Sequence, residues 1–139
     1  VARRYADVPS ARVLVLMGPM ADPPAPPFVL GPGSYVDDLL RRAGHKNAAD
    51  QGVRAYGPLA LEAIVRCDPD VIVEIDADGT GRPGGEEEAL RVWSQLGDLS
   101  AVKRHRIHVI TGRGNLIPGP RVAHTFEALC GAIAEPGHE

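Results

Sequence analysis

Two apolar runs, Arg12-Val-Leu-Val-Leu-Met17 and Val71-Ile-Val-Glu-Ile75, do most to limit what this chain can fold into. Each is too short to stand as a helix. Each is rich in Val, Leu or Ile and bounded by turn formers, Ser10 and Gly18-Pro19 around the first and Asp68-Pro69-Asp70 before the second. Near-continuous apolarity, in place of strict alternation, means that such a strand is covered on both faces. That is the situation of a central strand in a parallel sheet flanked by helices.

The segments around these runs carry a helical period. Ser34 is placed to cap the amides two or three positions on, with Asp37 at the capping-box position. Val36, Leu39, Leu40 and Ala43 then recur at i, i+3, i+4 and i+7, and Gly44 supplies a left-handed stop. A second helix is predicted from about Leu59 to Cys67, burying Leu61, Ile64 and Val65 and ending before Asp68-Pro69, because proline disfavours helical geometry in its predecessor. Glu86, Glu87 and Glu88 suit the first turn of a third helix, where carboxylates meet the positive end of the helix dipole; its expected buried stripe is Leu90, Trp93 and Leu96. Arg106 to Ile110 reads as a strand and Thr111 to Gly119 as a long loop. Pro120 opens a last helix with Val122, Phe126, Leu129, Cys130 and Ile133 on one side. The four prolines between Met20 and Pro27 make that stretch a loop, and Phe28-Val-Leu30 a short strand after it. The order β, β, α, α, β, α, β, α predicts an α/β three-layer sandwich with a mostly parallel, Rossmann-like central sheet.

At 139 residues and a formal charge of -3, the chain fits one domain. Its one basic cluster, Lys103-Arg-His-Arg106, is too short for a nucleic-acid stripe, so no nucleic-acid partner is expected. No apolar run approaches the ~20 residues that span a bilayer, which predicts a soluble domain. Cys67 and Cys130 lie far apart without CxxC spacing, leaving two buried thiols or a single disulfide as the alternatives.

Candidate chemistry is sparse. Gly31-Pro-Gly33 has the first two glycines of a dinucleotide loop but Val36 in place of the third, and Gly79 to Gly85 lacks the GK[ST] ending of a phosphate loop. His105 and His108, three apart in an expected strand, would point to opposite faces and could not share a metal. Glu74, Asp76 and Asp78 alternate off the carboxyl end of a parallel strand, where open α/β sheets place ligands; a cation site and a solvated acidic loop are both open readings. No Ser, Cys or Lys stands in a nucleophile elbow, so no catalytic activity, bound metal or cofactor is expected.

One ordered series is more specific than its parts. It runs Gly31-x-Gly-Ser34, Leu39-Leu-Arg-Arg-Ala-Gly44 with Asn47, Leu61-Glu62, Cys67-Asp-Pro-Asp-Val-Ile-Val73, Trp93, Leu99-Ser-Ala-Val-Lys103, Arg106-Ile-His-Val-Ile110 and Pro118-Gly-Pro-Arg121. The series resembles the carboxyl-terminal lobe of the ABC-transporter substrate-binding proteins that capture cobalamin, ferric siderophores and haem, the type III periplasmic binding proteins. The resemblance implies one lobe at residues 10–134, with residues 1–9, Val1 to Tyr5 above all, ending an interlobe helix or linker, and a frayed tail at 135–139. It implies a missing amino-terminal lobe, a metal-chelate ligand held between lobes, an ABC permease as partner, a monomer, and a periplasmic or extracytoplasmic, membrane-anchored lipoprotein. The ligand residues it implies, with the loops of one sheet edge, are Gly33, Ser34, Arg54, Tyr56, Arg113, Asn115 and Leu116, and Glu62 matches the glutamate that meets the permease. Ala60 stands where the family often has a capping Ser or Thr, the Pro-rich stretch after Met20 is an insertion, and Asn115 and Leu116 replace aromatics of many cobalamin binders. A Rossmann-like or flavodoxin-like domain of an enzyme, binding a nucleotide or corrinoid, is the alternative reading.

Overall fold

The computed structural model describes residues 10–42, 44–49, 56–76 and 85–111. Its centre is β1, Arg12–Leu16, whose Val13, Leu14, Val15 and Leu16 are all buried, as a run with no polar alternation requires. After it come β2 (Phe28–Leu30), α1 (Tyr35–Arg42), β3 (Lys46–Asn47), β4 (Tyr56–Pro58), α2 (Leu61–Cys67) and β5 (Val71–Asp76). Then follow α3 (Gly85–Trp93) with a 3-10 turn at Ser94–Leu96, α4 (Ser100–Lys103) and β6 (Ile107–Thr111).

Among the described residues these strands form one mixed sheet in the order β4-β2-β1-β5-β6, with β3 also on β1. β1 runs parallel to β3 and β5, and β5 parallel to β6. The expectation of a mostly parallel sheet holds only for that half, because β2 is antiparallel to both β1 and β4. The reason lies in the connection. A parallel crossover takes about a dozen residues or more and usually a helix, and the segment 17–27 is both short and filled with prolines that cannot enter one.

The sheet separates two apolar layers. On one face, Val13, Val15, Leu30, Val71, Val73 and Ile75 meet Val36, Leu39 and Leu40 of α1. On the other, Leu14, Leu16, Val29 and Ile72 meet Ile64 of α2, Ala89, Val92 and Trp93 of α3, and Ala101 of α4. The helix–sheet–helix layering is therefore the one expected, with four changes of detail. Val65 is 48% exposed, because α2 touches the sheet along Leu61, Ile64 and Cys67 and Val65 turns past that line. In α3 the fully buried set is Ala89, Val92 and Trp93; Leu90 is half-buried and Leu96 falls in the 3-10 turn, where the 3.6-residue period has ended. β3 and β4 are strands that hydrophobic periodicity does not announce. His105 sits in the turn before β6 with a positive φ of 54°, exposed, so it is not a strand partner of His108.

Buried polar groups tie these layers together. The Ser34 hydroxyl accepts from the Asp37 amide (3.1 Å), completing half of a capping box. The Asp37 carboxylate turns instead to Asn47 Nδ2 (3.2 Å) and Arg41 Nε (3.1 Å). Asn47 Nδ2 also donates to the Leu30 carbonyl (2.9 Å) and its oxygen accepts from Ala49 N (2.9 Å), so one side chain joins β2, α1 and β3. The two aspartates around Pro69 work in opposite directions. Asp68 adopts a left-handed φ of 44° at the end of α2 and accepts from Ser100 N and Oγ, both at 2.8 Å, at the start of α4. Asp70 accepts from Arg12 N (3.0 Å) at the start of β1. Ala60 caps α2 with no side-chain bond, as its methyl group dictates. The expected last helix and Cys130 lie outside the described residues, and so does any pairing of Cys130 with Cys67. Among the described residues no helix is long and apolar enough to cross a membrane.

Candidate functional site

The parallel strands β1, β5 and β6 all end on one edge of the sheet, the place where α/β folds carry ligand loops. β4, two antiparallel steps from β1, runs the same way, so α2 also starts from that edge. Glu62 lies in the first turn of α2 and is exposed.

Register brings an unplanned group of side chains to the outer corner of this edge. Leu16 pairs with Val29, which sets Met17 across from Phe28, and the Met17 amide donates to the Phe28 carbonyl at 2.9 Å. Phe28 pairs with Pro58, and Leu30 with Tyr56. Directly opposed residues share a face and diagonal neighbours lie within reach, so Met17, Phe28 and Tyr56 stand together on the α1 face of the sheet. They are 37%, 53% and 44% exposed, three of the four large hydrophobic residues so exposed among those described. Sequence reading singled out only Tyr56. The sequence puts Phe28 in a short strand and Met17 at the end of a buried one; only the antiparallel pairing shows that both pass the rim of the core.

Of the other expected ligand residues, Gly33 is exposed in the turn that follows β2, at a φ of 95° that favours glycine. This turn adjoins Tyr56, since Leu30 is its partner in the register. Because β2 runs against β1, the turn leaves the strand on its inward course, below the edge where β1 ends. Ser34 is buried, and its hydroxyl donates to the Gly31 carbonyl (2.8 Å) while it caps α1, so its polar atoms serve the turn. Arg54, Arg113, Asn115 and Leu116 lie outside the described residues.

The acidic series after β5 divides. Glu74 is 1% exposed and turned to the α3 face, accepting from Met20 N (3.0 Å) and from Trp93 Nε1 (2.8 Å). It anchors the Pro-rich strap, residues 18–27, to the core and is neither a solvated loop residue nor open to a cation. Asp22, further along the strap, accepts from Arg91 Nη2 (2.6 Å) and Gln95 Nε2 (3.1 Å) of the α3 segment. Arg91 also pairs with Glu88, and these two carboxylates raise its pKa above the ordinary arginine value. Asp76's side chain and Asp78 lie outside the described set. His108 is buried in β6 with Nδ1 3.5 Å from Glu86, whose carboxylate also accepts from Val109 N (3.1 Å). Among the described residues no three His, Cys, Asp or Glu side chains converge as a metal site.

The sequence profile described as periplasmic binding protein matches residues 3–113. A search of curated proteins gives no match. Among solved structures, the chain is similar to the periplasmic heme-binding protein RhuT from Roseiflexus sp. RS-1, at 28% identity and a TM-score of 0.67 over 96% of this chain and 48% of that one. It is similar also to the periplasmic heme-binding protein BhuT in complex with two hemes, at 25% identity and a TM-score of 0.69, over 94% of this chain and 46% of that one. With the periplasmic heme-binding protein HutB of Vibrio cholerae it shares the fold, at 18% identity and a TM-score of 0.74, over 96% of this chain and 51% of that one. The chain spans about half the length of these structures. The mixed sheet, its two helical layers and the match over most of the sequence together place the chain in the periplasmic binding protein family.

Proposed function

We propose that this chain is the carboxyl-terminal lobe of an extracytoplasmic solute-binding component of an ABC importer, and that it supplies one wall of a cleft for a metal chelate: haem, a ferric siderophore or cobalamin. The observation that supports this reading most is the exposed Met17–Phe28–Tyr56 group in a chain with only two Phe, one Trp and three Tyr. Exposed apolar groups gathered at one corner mark a contact surface. The group suits the face of a large, flat or bulky ligand, and Tyr56 extends it toward the Gly33 turn. Haem leads among the three because the relatives at 25% and 28% identity are heme-binding proteins. Tyr56 and the Gly33–Ser34 turn are assigned to the ligand wall, joined by Arg54, Arg113, Asn115 and Leu116. Glu62, exposed in the first turn of α2, is assigned to the permease, where its carboxylate meets basic side chains.

The reading is tested on a two-lobed protein that contains this chain. Titration with hemin and with a ferric hydroxamate should show saturable binding of one of them, and Phe28→Ala with Tyr56→Ala should weaken it by about tenfold or more, on the order of 1.4 kcal/mol. Unchanged affinity in both variants removes this corner from the site. Glu62→Lys should leave chelate binding intact and reduce uptake.

A further inference from the structure

On the opposite face of the sheet from Met17, Phe28 and Tyr56, a groove of about 760 Å³ runs beside α2. Its two ends differ in chemistry. Among its lining residues, Arg12 and Lys46 start β1 and β3 and Arg66 is in the last turn of α2. Pro58 ends β4, and Leu59, Ala60 and Ala63 lead into the first turn of α2, so the cations and the apolar residues line opposite ends. The gathering of cations follows from the fold. Parallel pairing sets Arg12 directly beside Lys46, so both side chains leave the same face of the sheet, and Arg66 descends to them from the last turn of α2. Like charges on neighbouring strands repel and cost stability. The Asp68 carboxylate feels the Arg12 charge, but among the described residues no ion pair closes on Arg12, Lys46 or Arg66. The nearest acids have other work: the Asp68 carboxylate receives Ser100 N and Oγ, and Asp70 receives the Arg12 amide.

We propose that this groove binds an alkyl phosphate, with the phosphate between Arg12, Lys46 and Arg66 and a short hydrocarbon chain along Pro58, Leu59, Ala60 and Ala63. A phosphate monoester carries nearly two negative charges at neutral pH and three acceptor oxygens, enough to engage three cations at once. The volume falls within the range of small-molecule sites, about 300 to 1,000 Å³. The same monoester chemistry is offered by a soluble alkyl phosphate and by the headgroup of phosphatidic acid, and the test separates them.

Calorimetric titration of the 139-residue chain with hexyl phosphate and with inorganic phosphate is the test, beside flotation with vesicles of phosphatidylcholine with and without phosphatidic acid. Hexyl phosphate should bind at least tenfold more tightly than inorganic phosphate. Lys46→Gln combined with Arg66→Gln should lower that affinity by tenfold or more, whereas Lys103→Gln combined with Arg104→Gln, which removes equal charge outside the groove, should leave it. Ala63→Phe should abolish the preference for the alkyl ester while keeping inorganic phosphate, and it decides the matter alone if the Lys46–Arg66 variant fails to fold. Given hexyl phosphate binding, flotation that depends on phosphatidic acid and on Lys46 and Arg66 assigns the site to lipid, and its absence assigns a soluble ester. Lack of hexyl phosphate binding at millimolar concentration, or an equal loss in the Lys103–Arg104 control, overturns the proposal, as does flotation without hexyl phosphate binding.

Discussion

Glu74 shows how a residue's neighbours overrule its type. A carboxylate near the end of a strand reads as solvated or metal-binding, yet here it closes the valences of a buried backbone amide and a buried indole N–H. Removing the acceptor strands both donors in the core, and each such group costs about 1 to 3 kcal/mol. Glu74→Ala should therefore lower stability by roughly 2 to 5 kcal/mol, with Glu74→Gln clearly milder because its amide oxygen can still accept; urea denaturation followed through Trp93 fluorescence measures both. Equal losses would mean that the carboxylate charge, which both variants remove, matters at this position and that a neutral acceptor cannot serve the two donors. His45 gives a pH test. Its Nδ1 accepts from Ala11 N (3.1 Å), and burial, with the Arg106 charge adding to it, holds its pKa below the usual 6.5. The unfolded chain then binds more protons than the native one as the pH falls through about 6.5, so stability is full above that value and declines below it. The urea midpoint should drop between pH 7.5 and 5.5, and by less in His45→Asn, which keeps an acceptor but cannot titrate. A drop of the same size in that variant assigns the effect to another group.

Elements were legible in the sequence where one local signal was enough. β1, β5 and β6 announce themselves as apolar runs, and α1 as a capped stripe ending at Gly44, whose φ is 84°. β3 and β4 do not, because Lys46-Asn47 and Tyr56-Gly-Pro58 have neither the length nor the composition of a strand. Their pairing is decided by what they meet, β1 for the one and β2 for the other. The candidate site depends on the same unsignalled pairing, which is why Tyr56 was foreseen through resemblance while Phe28 and Met17 were not. Asp68 belongs to this scale as well, since it ends α2 and begins α4. The bond from the Ser100 amide is the main cause that holds its pKa below the ordinary carboxylate value, so its contribution is present above about pH 4 and disappears as the pH falls through the lowered value. Asp68→Ala loses the cap and puts a β-carbon without local compensation at a positive φ, for a cost of about 1 to 3 kcal/mol. Asp68→Asn keeps the left-handed preference and an acceptor and should lose less than half as much. Hydrogen exchange at Ser100 reads the cap directly: unchanged protection in the alanine variant would show that α4 does not need it.

At the scale of the whole molecule, the consequence of the half-length match is energetic. Both layers of the sheet close over apolar cores that need no second lobe, so the chain has the makings of an independent folding unit. The ligand surface proposed for it is different in kind, a corner of exposed side chains that encloses nothing. Small-molecule sites owe their strength to burying most of the ligand, and one wall buries only one side of it. If a two-walled cleft binds at about micromolar strength, near -8 kcal/mol, losing half of the favourable contacts leaves about -4 kcal/mol and a Kd near millimolar. The 139-residue chain should thus unfold cooperatively in urea as a monomer and yet hold hemin and ferric siderophores no better than about millimolar, with the affinity recovered when an amino-terminal lobe is joined to it. Calorimetry on the two forms, under the same buffer, compares them directly. Submicromolar binding by the short chain would mean that this lobe encloses its ligand unaided, and the two-walled account of the Met17–Phe28–Tyr56 corner would have to be given up.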